Sequence, residues 1–176
     1  MEPFCFKGRP GPRSPNASAG RDAGAISVIY QDPLSSFDPR WTVGRIISDS
    51  LASDVETKGE REKRVVQLLD LVGLSRAFLD RRPIELSGGQ RQRVAIARAI
   101  APRPAVIVCD EPVSALNVLI QAQVLDLLAD LKAHLNMSYI FISHDLGVVR
   151  HLSDRVMVMR QGRRGQTRWE AVPQYR

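Results

Sequence analysis

The chain has 176 residues, 44% of them hydrophobic and 25% charged, which suits one soluble domain with a real core and gives no sign of a low-complexity or fibrous protein. Its net charge of +6 sits in the two ends: residues 1–24 hold four Lys/Arg against two Asp/Glu, residues 160–176 hold five against one, and residues 25–159 hold sixteen of each. Basic tails on a neutral body are not the footprint of a nucleic-acid reader, so no nucleic acid is expected as a partner. The two cysteines, Cys5 and Cys109, make no disulfide framework or zinc site. No apolar run approaches the roughly 20 residues that span a bilayer, and no apolar core of a secretory signal follows the N-terminus.

Residues 1–24 are rich in Gly, Pro and Ser and are expected to be disordered. From Ala25 the pattern changes. Ile26, Val28, Ile29 and Tyr30 read as a short strand, closed by Gln31-Asp32-Pro33. Thr42 is placed to cap a helix with Val43, Ile46, Ile47 and Leu51 on one face. A second helix carries Val65, Leu68, Leu69 and Val72, with Gly73 as its C-terminal stop. Residues 34–86 thus read as a small helical subdomain inserted between strands.

Leu86-Ser87-Gly88-Gly89-Gln90-Arg91-Gln92-Arg93 organises the rest. Ser87 can cap the helix that follows, and Gln90 can reach back to complete a capping box. Gly88 and Gly89 let a backbone approach a ligand closely. The helix start then offers free N–H groups and a positive dipole end, an anion site. The four residues Ser-Gly-Gly-Gln alone would describe any capped helix; the full octapeptide is more specific.

Ala105 to Cys109 is apolar throughout, as a strand covered on both faces would be. A helix with Val124, Leu127, Leu128, Leu131 and Leu135 on one face follows, then a strand at Tyr139 to Ile142. Strand, helix and strand make one βαβ unit with parallel pairing. Val148, Val149 and Leu152 fit a short helix and Val156 to Met159 a last strand. From Arg160 the text is polar and arginine-rich, with no element expected.

In open parallel sheets ligands sit beyond the carboxyl ends of the strands. Asp110 and Glu111 follow one strand, His144 the next and Gln31 the first. Asp110 suits Mg²⁺, which takes hard oxygen ligands and bridges nucleotide phosphates. Glu111 is placed to take a proton from, or orient, an attacking water. His144 can donate to a γ-phosphate oxygen, and Gln31 can reach the metal or the water. Each alone has an ordinary reading as an exposed polar residue at a strand end.

With these stations in order, residues Ile26 to Met159 resemble the ATP-binding subunit of ABC transporters. Gln31 matches the Q-loop, Ser87, Gly88, Gly89 and Gln90 the signature, Ala105 to Asp110 the Walker B strand, Glu111 the catalytic glutamate and His144 the switch histidine. Tyr30 to Pro33 with Pro39-Arg40, and Val113 to Leu116 with Ile120 to Gln123, look most like the oligopeptide, dipeptide and nickel importer branch. The resemblance implies an α/β fold, a P-loop NTPase-type parallel sheet with an inserted helical subdomain, here incomplete, over residues 25–159. It implies ATP and Mg²⁺ as cofactors, the metal held by Asp110 and Gln31. It further implies a second ABC ATPase subunit and integral-membrane permease subunits as partners, at the cytoplasmic face of the membrane.

Three departures stand out. No G-x-x-x-x-G-K-[ST] segment is present: the lysines are Lys7, Lys58, Lys63 and Lys132, none in that context. The family's D-loop aspartate is Asn117 here. The family's pattern is lost near Gln161. These imply a truncated or frame-shifted importer motor, inactive by itself, with a trans-acting interaction subunit or a non-functional fragment as the alternatives. They also imply an exposed sheet edge where the P-loop strand would lie.

Overall fold

The computed structural model describes residues 2–7, 26–51, 57–160 and 163–164. Six strands form one sheet: β1 (Glu2–Lys7), β2 (Ile26–Ile29), β3 (Val106–Asp110), β4 (Ser138–Ile142), β5 (Val156–Arg160) and β6 (Arg163–Arg164), in the order β2-β3-β4-β1-β5-β6. The pairings β2 with β3 and β3 with β4 are parallel, as the βαβ spacing predicts. The sheet as a whole is mixed, because β1 runs antiparallel to both β4 and β5 and β6 runs antiparallel to β5.

Strand β1 corrects the expectation that residues 1–24 lack structure. The breakers start only at Gly8; before them, Phe4, Cys5 and Phe6 are residue types that favour extended backbone. Two strands, β4 and β5, each have a row of backbone groups to satisfy on the side facing β1. One antiparallel strand satisfies both rows, with Phe4 opposite Ile142 on one side and Met157 on the other. No open edge therefore remains between β4 and β5, contrary to the sequence-based expectation. Residues 8–24 lie outside the described residues. The C-terminal tail is likewise not devoid of elements, since Arg160 extends β5 and Arg163–Arg164 form β6.

Among the described residues five α-helices accompany the sheet: α1 (Val43–Asp49), α2 (Lys58–Leu71), α3 (Gly88–Ile100), α4 (Val118–Leu135) and α5 (Leu146–Leu152). Their starts follow the capping chemistry. Thr42 accepts from the Arg45 amide, Thr57 and Glu60 form a capping box, and so do Ser87 and Gln90. Helix α2 ends at Leu71 with Val72 as its C-cap, and Gly73 follows with a φ of 70°, a conformation glycine adopts without a Cβ penalty.

One continuous apolar core joins α1, α2 and α3 to one face of the sheet. It runs from Ile47, Leu68 and Val72 through Val94 and Ile96 to Ile107, Leu128 and Phe141. The β3 strand is buried on that face alone. Ile107 and Cys109 are buried while Val106 and Val108 are half-buried, so the expected cover on both faces is incomplete. No helix among the described residues is long and apolar enough to cross a membrane.

Candidate functional site

The parallel register brings the predicted residues to one place. Ile29, Cys109 and Phe141 lie side by side on β2, β3 and β4. Gln31, Glu111 and His144 follow them within a few residues, and so emerge together at the carboxyl edge of the sheet.

Glu111 is at the centre. Its backbone has a φ of 44°, a left-handed conformation uncommon for a residue with a Cβ and often found at functional positions. Its amide donates to the Ile142 carbonyl at 3.0 Å, which ties the start of the loop to the end of β4. One carboxylate oxygen, Oε1, lies 2.8 Å from His144 Nδ1, and the other, Oε2, accepts from Gln31 Nε2 at 3.2 Å. An ionised carboxylate only accepts, so opposite an ionised Glu111 the contact requires the His144 proton on Nδ1. The Glu111 side chain is 19% exposed and that of His144 60%, so the carboxylate is recessed and the imidazole opens to solvent.

A further member was not singled out by sequence. Ser114 Oγ accepts from Gln31 Nε2 at 3.2 Å and donates to the Glu111 carbonyl at 3.1 Å. It thus fixes Gln31 to the same turn that carries Glu111. Its position three residues after Glu111, where a hydroxyl closes a turn onto the earlier carbonyl, is the signal that could have found it.

Asp110, the last residue of β3, is exposed, and its carboxylate has no hydrogen-bond partner among the described residues. Gln31 commits its amide nitrogen to Glu111 and Ser114, leaving its Oε1 as a free acceptor. These two oxygens fit the hard-ligand preference of Mg²⁺. No cluster of three or more His, Cys, Asp or Glu able to hold a metal occurs among the described residues. An ion here would therefore complete its shell with phosphate oxygens and water.

Ser87, Gly88, Gly89 and Gln90 lie at the start of α3, and no hydrogen bond among the described residues joins them to the Glu111 cluster. Ser87 Oγ accepts from the Gln90 amide at 3.3 Å, and Gln90 Oε1 accepts from the Ser87 amide at 2.9 Å. Ser87 and Gly88 are exposed. This turn rests on the start of α4. A Cβ at Gly89 would lie 2.6 Å from Ile120 Cγ2, and one at Gly88 would lie 3.4 Å from Leu116 Cδ2. Asn117, between those two contacts, caps α4 by accepting from the Ile120 amide at 2.9 Å. Just before Asp110, burial pushes the Cys109 thiol well above its ordinary pKa, so it is not a nucleophile.

An α/β sheet with a carboxylate, an amide and an imidazole converging at the ends of adjacent parallel strands is the class of fold and site found here. The model of the ABC transporter family, described as "ABC transporter", matches residues 12–114. The chain belongs to this family. It is 50% identical over 138 residues to the dipeptide transport ATP-binding protein DppF of Lactococcus lactis subsp. cremoris, covering 77% of this chain and 44% of that protein. It is also 50% identical over 139 residues to the oligopeptide transport ATP-binding protein AppF of Bacillus subtilis, covering 78% and 42%. The chain therefore spans less than half the length of these relatives. Among solved structures, a dimeric ATP-binding cassette in a post-hydrolysis state bound to ADP and Pi superposes with a TM-score of 0.71 at 28% identity, covering 85% of this chain and 64% of that one.

Proposed function

We propose that the chain is part of the ATP-binding motor subunit of an importer for peptides or similar small solutes, with Glu111 as the hydrolytic centre. The observation that carries this reading is the recessed Glu111 carboxylate held by His144 on one oxygen and Gln31 on the other. When bound, Mg²⁺ would neutralise phosphate charge, with Asp110 and Gln31 Oε1 as its protein ligands. Glu111 accepts a proton from, or orients, the attacking water. His144, open to solvent, would donate to a terminal phosphate oxygen. Gln31, fixed by Ser114, would offer its Oε1 to the metal or the water.

On this reading the partners are a second ABC ATPase subunit and the integral-membrane permease, with the chain peripheral to the cytoplasmic face of the membrane. The 176 residues contain no G-x-x-x-x-G-K-[ST] segment to cradle the phosphates. By themselves they neither bind ATP tightly nor hydrolyse it. The relatives DppF and AppF, named for dipeptide and oligopeptide transport, support the solute class.

A second reading is favoured by the exposure of Ser87 and Gly88 at the start of α3. That turn is free to complete the site of a P-loop-bearing partner in trans, as a binding subunit without turnover of its own. Mixing the chain with an intact ABC ATPase subunit separates the two readings. ATP binding or turnover that appears only in the mixture and is lost on Ser87→Arg supports the trans role. Turnover by the purified chain alone, abolished by Glu111→Gln, would show that these residues are a complete motor.

A further inference from the structure

Arg98, on α3 well beyond the signature turn, holds a charge with no carboxylate partner among the described residues. Its Nη1 donates to the Ser36 carbonyl at 2.7 Å and its Nη2 to Ser36 Oγ at 2.9 Å, and its guanidinium lies 4.9 Å from the centre of the Phe37 ring. The side chain is half-buried, and burial pushes its pKa below the ordinary arginine value, against the opposing influence of Tyr30. A guanidinium does not give up its proton in a protein, so the desolvated charge persists. Neutral oxygens and an aromatic face satisfy part of it; a counter-ion would satisfy the rest.

Arg98 lines an open pocket of about 680 Å³ together with Ser27, Tyr30, Ser36 and Ser50. Ser36 Oγ is committed to the Pro33 carbonyl at 2.7 Å. The hydroxyls of Ser27, Tyr30 and Ser50 make no hydrogen bond to any described residue. The pocket thus combines unspent hydroxyl donors with a guanidinium that has N–H groups beyond those given to Ser36. It lies beside β2, bounded by the loop that follows Gln31 and by α3, and contains neither Glu111 nor His144.

We propose that this pocket binds a carboxylate. One unpaired cation matches one monoanionic group, whereas a phosphate dianion would leave excess charge in a partly desolvated site. The carboxylate belongs either to a free small molecule or to an acidic side chain of a docked protein, and the chemistry at Arg98 is the same for both. Because Arg98 also clamps Ser36 and Phe37, an occupant is coupled to the segment that begins at Gln31. The binding itself does not depend on the ATPase reading.

The test is an NMR titration of the ¹⁵N-labelled chain at constant ionic strength. The probes are sodium acetate and a blocked Ala-Asp-Ala peptide, with sodium chloride and the matching Ala-Asn-Ala peptide as controls. Saturable shifts are expected at the Ser27, Ser36 and Ser50 amides, with affinity at least about tenfold weaker in Arg98→Met. Ser50→Leu, which fills the pocket and keeps the Arg98 clamp, gives the same loss and stands in if Arg98→Met fails to fold. Saturation by acetate identifies a free carboxylate as sufficient; saturation by the Asp peptide alone identifies a protein-borne one. No saturation by either probe, or saturation unchanged in Ser50→Leu, overturns the proposal.

Discussion

The Glu111 carboxylate is shared: His144 Nδ1 lies 2.8 Å from one oxygen, and Gln31 Nε2 lies 3.2 Å from the other. With Glu111 ionised, each oxygen accepts one bond, from His144 Nδ1–H and from the Gln31 amide. Glu111→Gln replaces one acceptor oxygen with an amide nitrogen that can accept from neither. One hydrogen bond is lost and two donors are set against each other. Stability is expected to fall by about 1 kcal/mol, read as a lower urea midpoint with unchanged slope. Ser114→Ala removes the second acceptor of Gln31 and is expected to free the Gln31 side-chain amide, seen as faster exchange of its protons with water.

The signature turn is packed as well as capped. At Gly89 an added Cβ meets Ile120 Cγ2 at 2.6 Å, a β-branched side chain with little freedom to move, whereas at Gly88 the nearest atom lies at an ordinary 3.4 Å. Gly89→Ala is therefore expected to cost about 1–3 kcal/mol through overpacking. Gly88→Ala is expected to be close to neutral. Equal effects in thermal melts of the two variants would contradict this packing.

The observed work of Asn117 is local. Its Oδ1 caps α4 at the Ile120 amide. An aspartate accepts that bond equally well, so Asn117→Asp is expected to keep stability within about 0.5 kcal/mol, while Asn117→Ala loses about 1 kcal/mol. Chemical denaturation of both variants checks the difference.

Buried acids on the sheet give an alkaline limb. Burial raises the pKa of Cys109 from an ordinary 9.0 and that of Tyr139 from an ordinary 10.0. The unfolded chain loses these protons at the ordinary values while the folded chain retains them. Stability is therefore full below about pH 9 and falls as pH rises beyond it. Cys109→Val is expected to flatten the first part of that decline and Tyr139→Phe the part above pH 10. The Tyr139 hydroxyl is buried without a partner, so Tyr139→Phe should not destabilise at pH 7. Melting temperatures across pH 7–11 test each statement.

Much of the site is legible because it is written in residue types with fixed tasks. The capping box at Ser87, the cap at Thr42, the turn glycine Gly73 and the apolar strand runs all specify local backbone, and the structure follows them. Gln31, Glu111 and His144 could be placed together because parallel strands end on one side. Their contacts could not, since the residues just beyond a strand end can point in several directions and the left-handed backbone of Glu111 chooses among them. Strand β1 was not legible for a different reason. Six residues ahead of a Gly- and Pro-rich stretch carry too little pattern, and what makes them a strand is the vacancy between β4 and β5, a non-local demand. The Arg98 clamp on Ser36 also bridges distant parts of the chain, which no local pattern announces.

The most direct test of the account is a titration of Mg-ATP, followed by turnover, on the purified chain alone and then mixed with an intact ABC ATPase subunit that carries a P-loop. The account predicts no tight binding and no turnover by the chain alone. Tight binding by the chain alone, with hydrolysis abolished by Glu111→Gln, would contradict it and show that a phosphate cradle exists within these 176 residues.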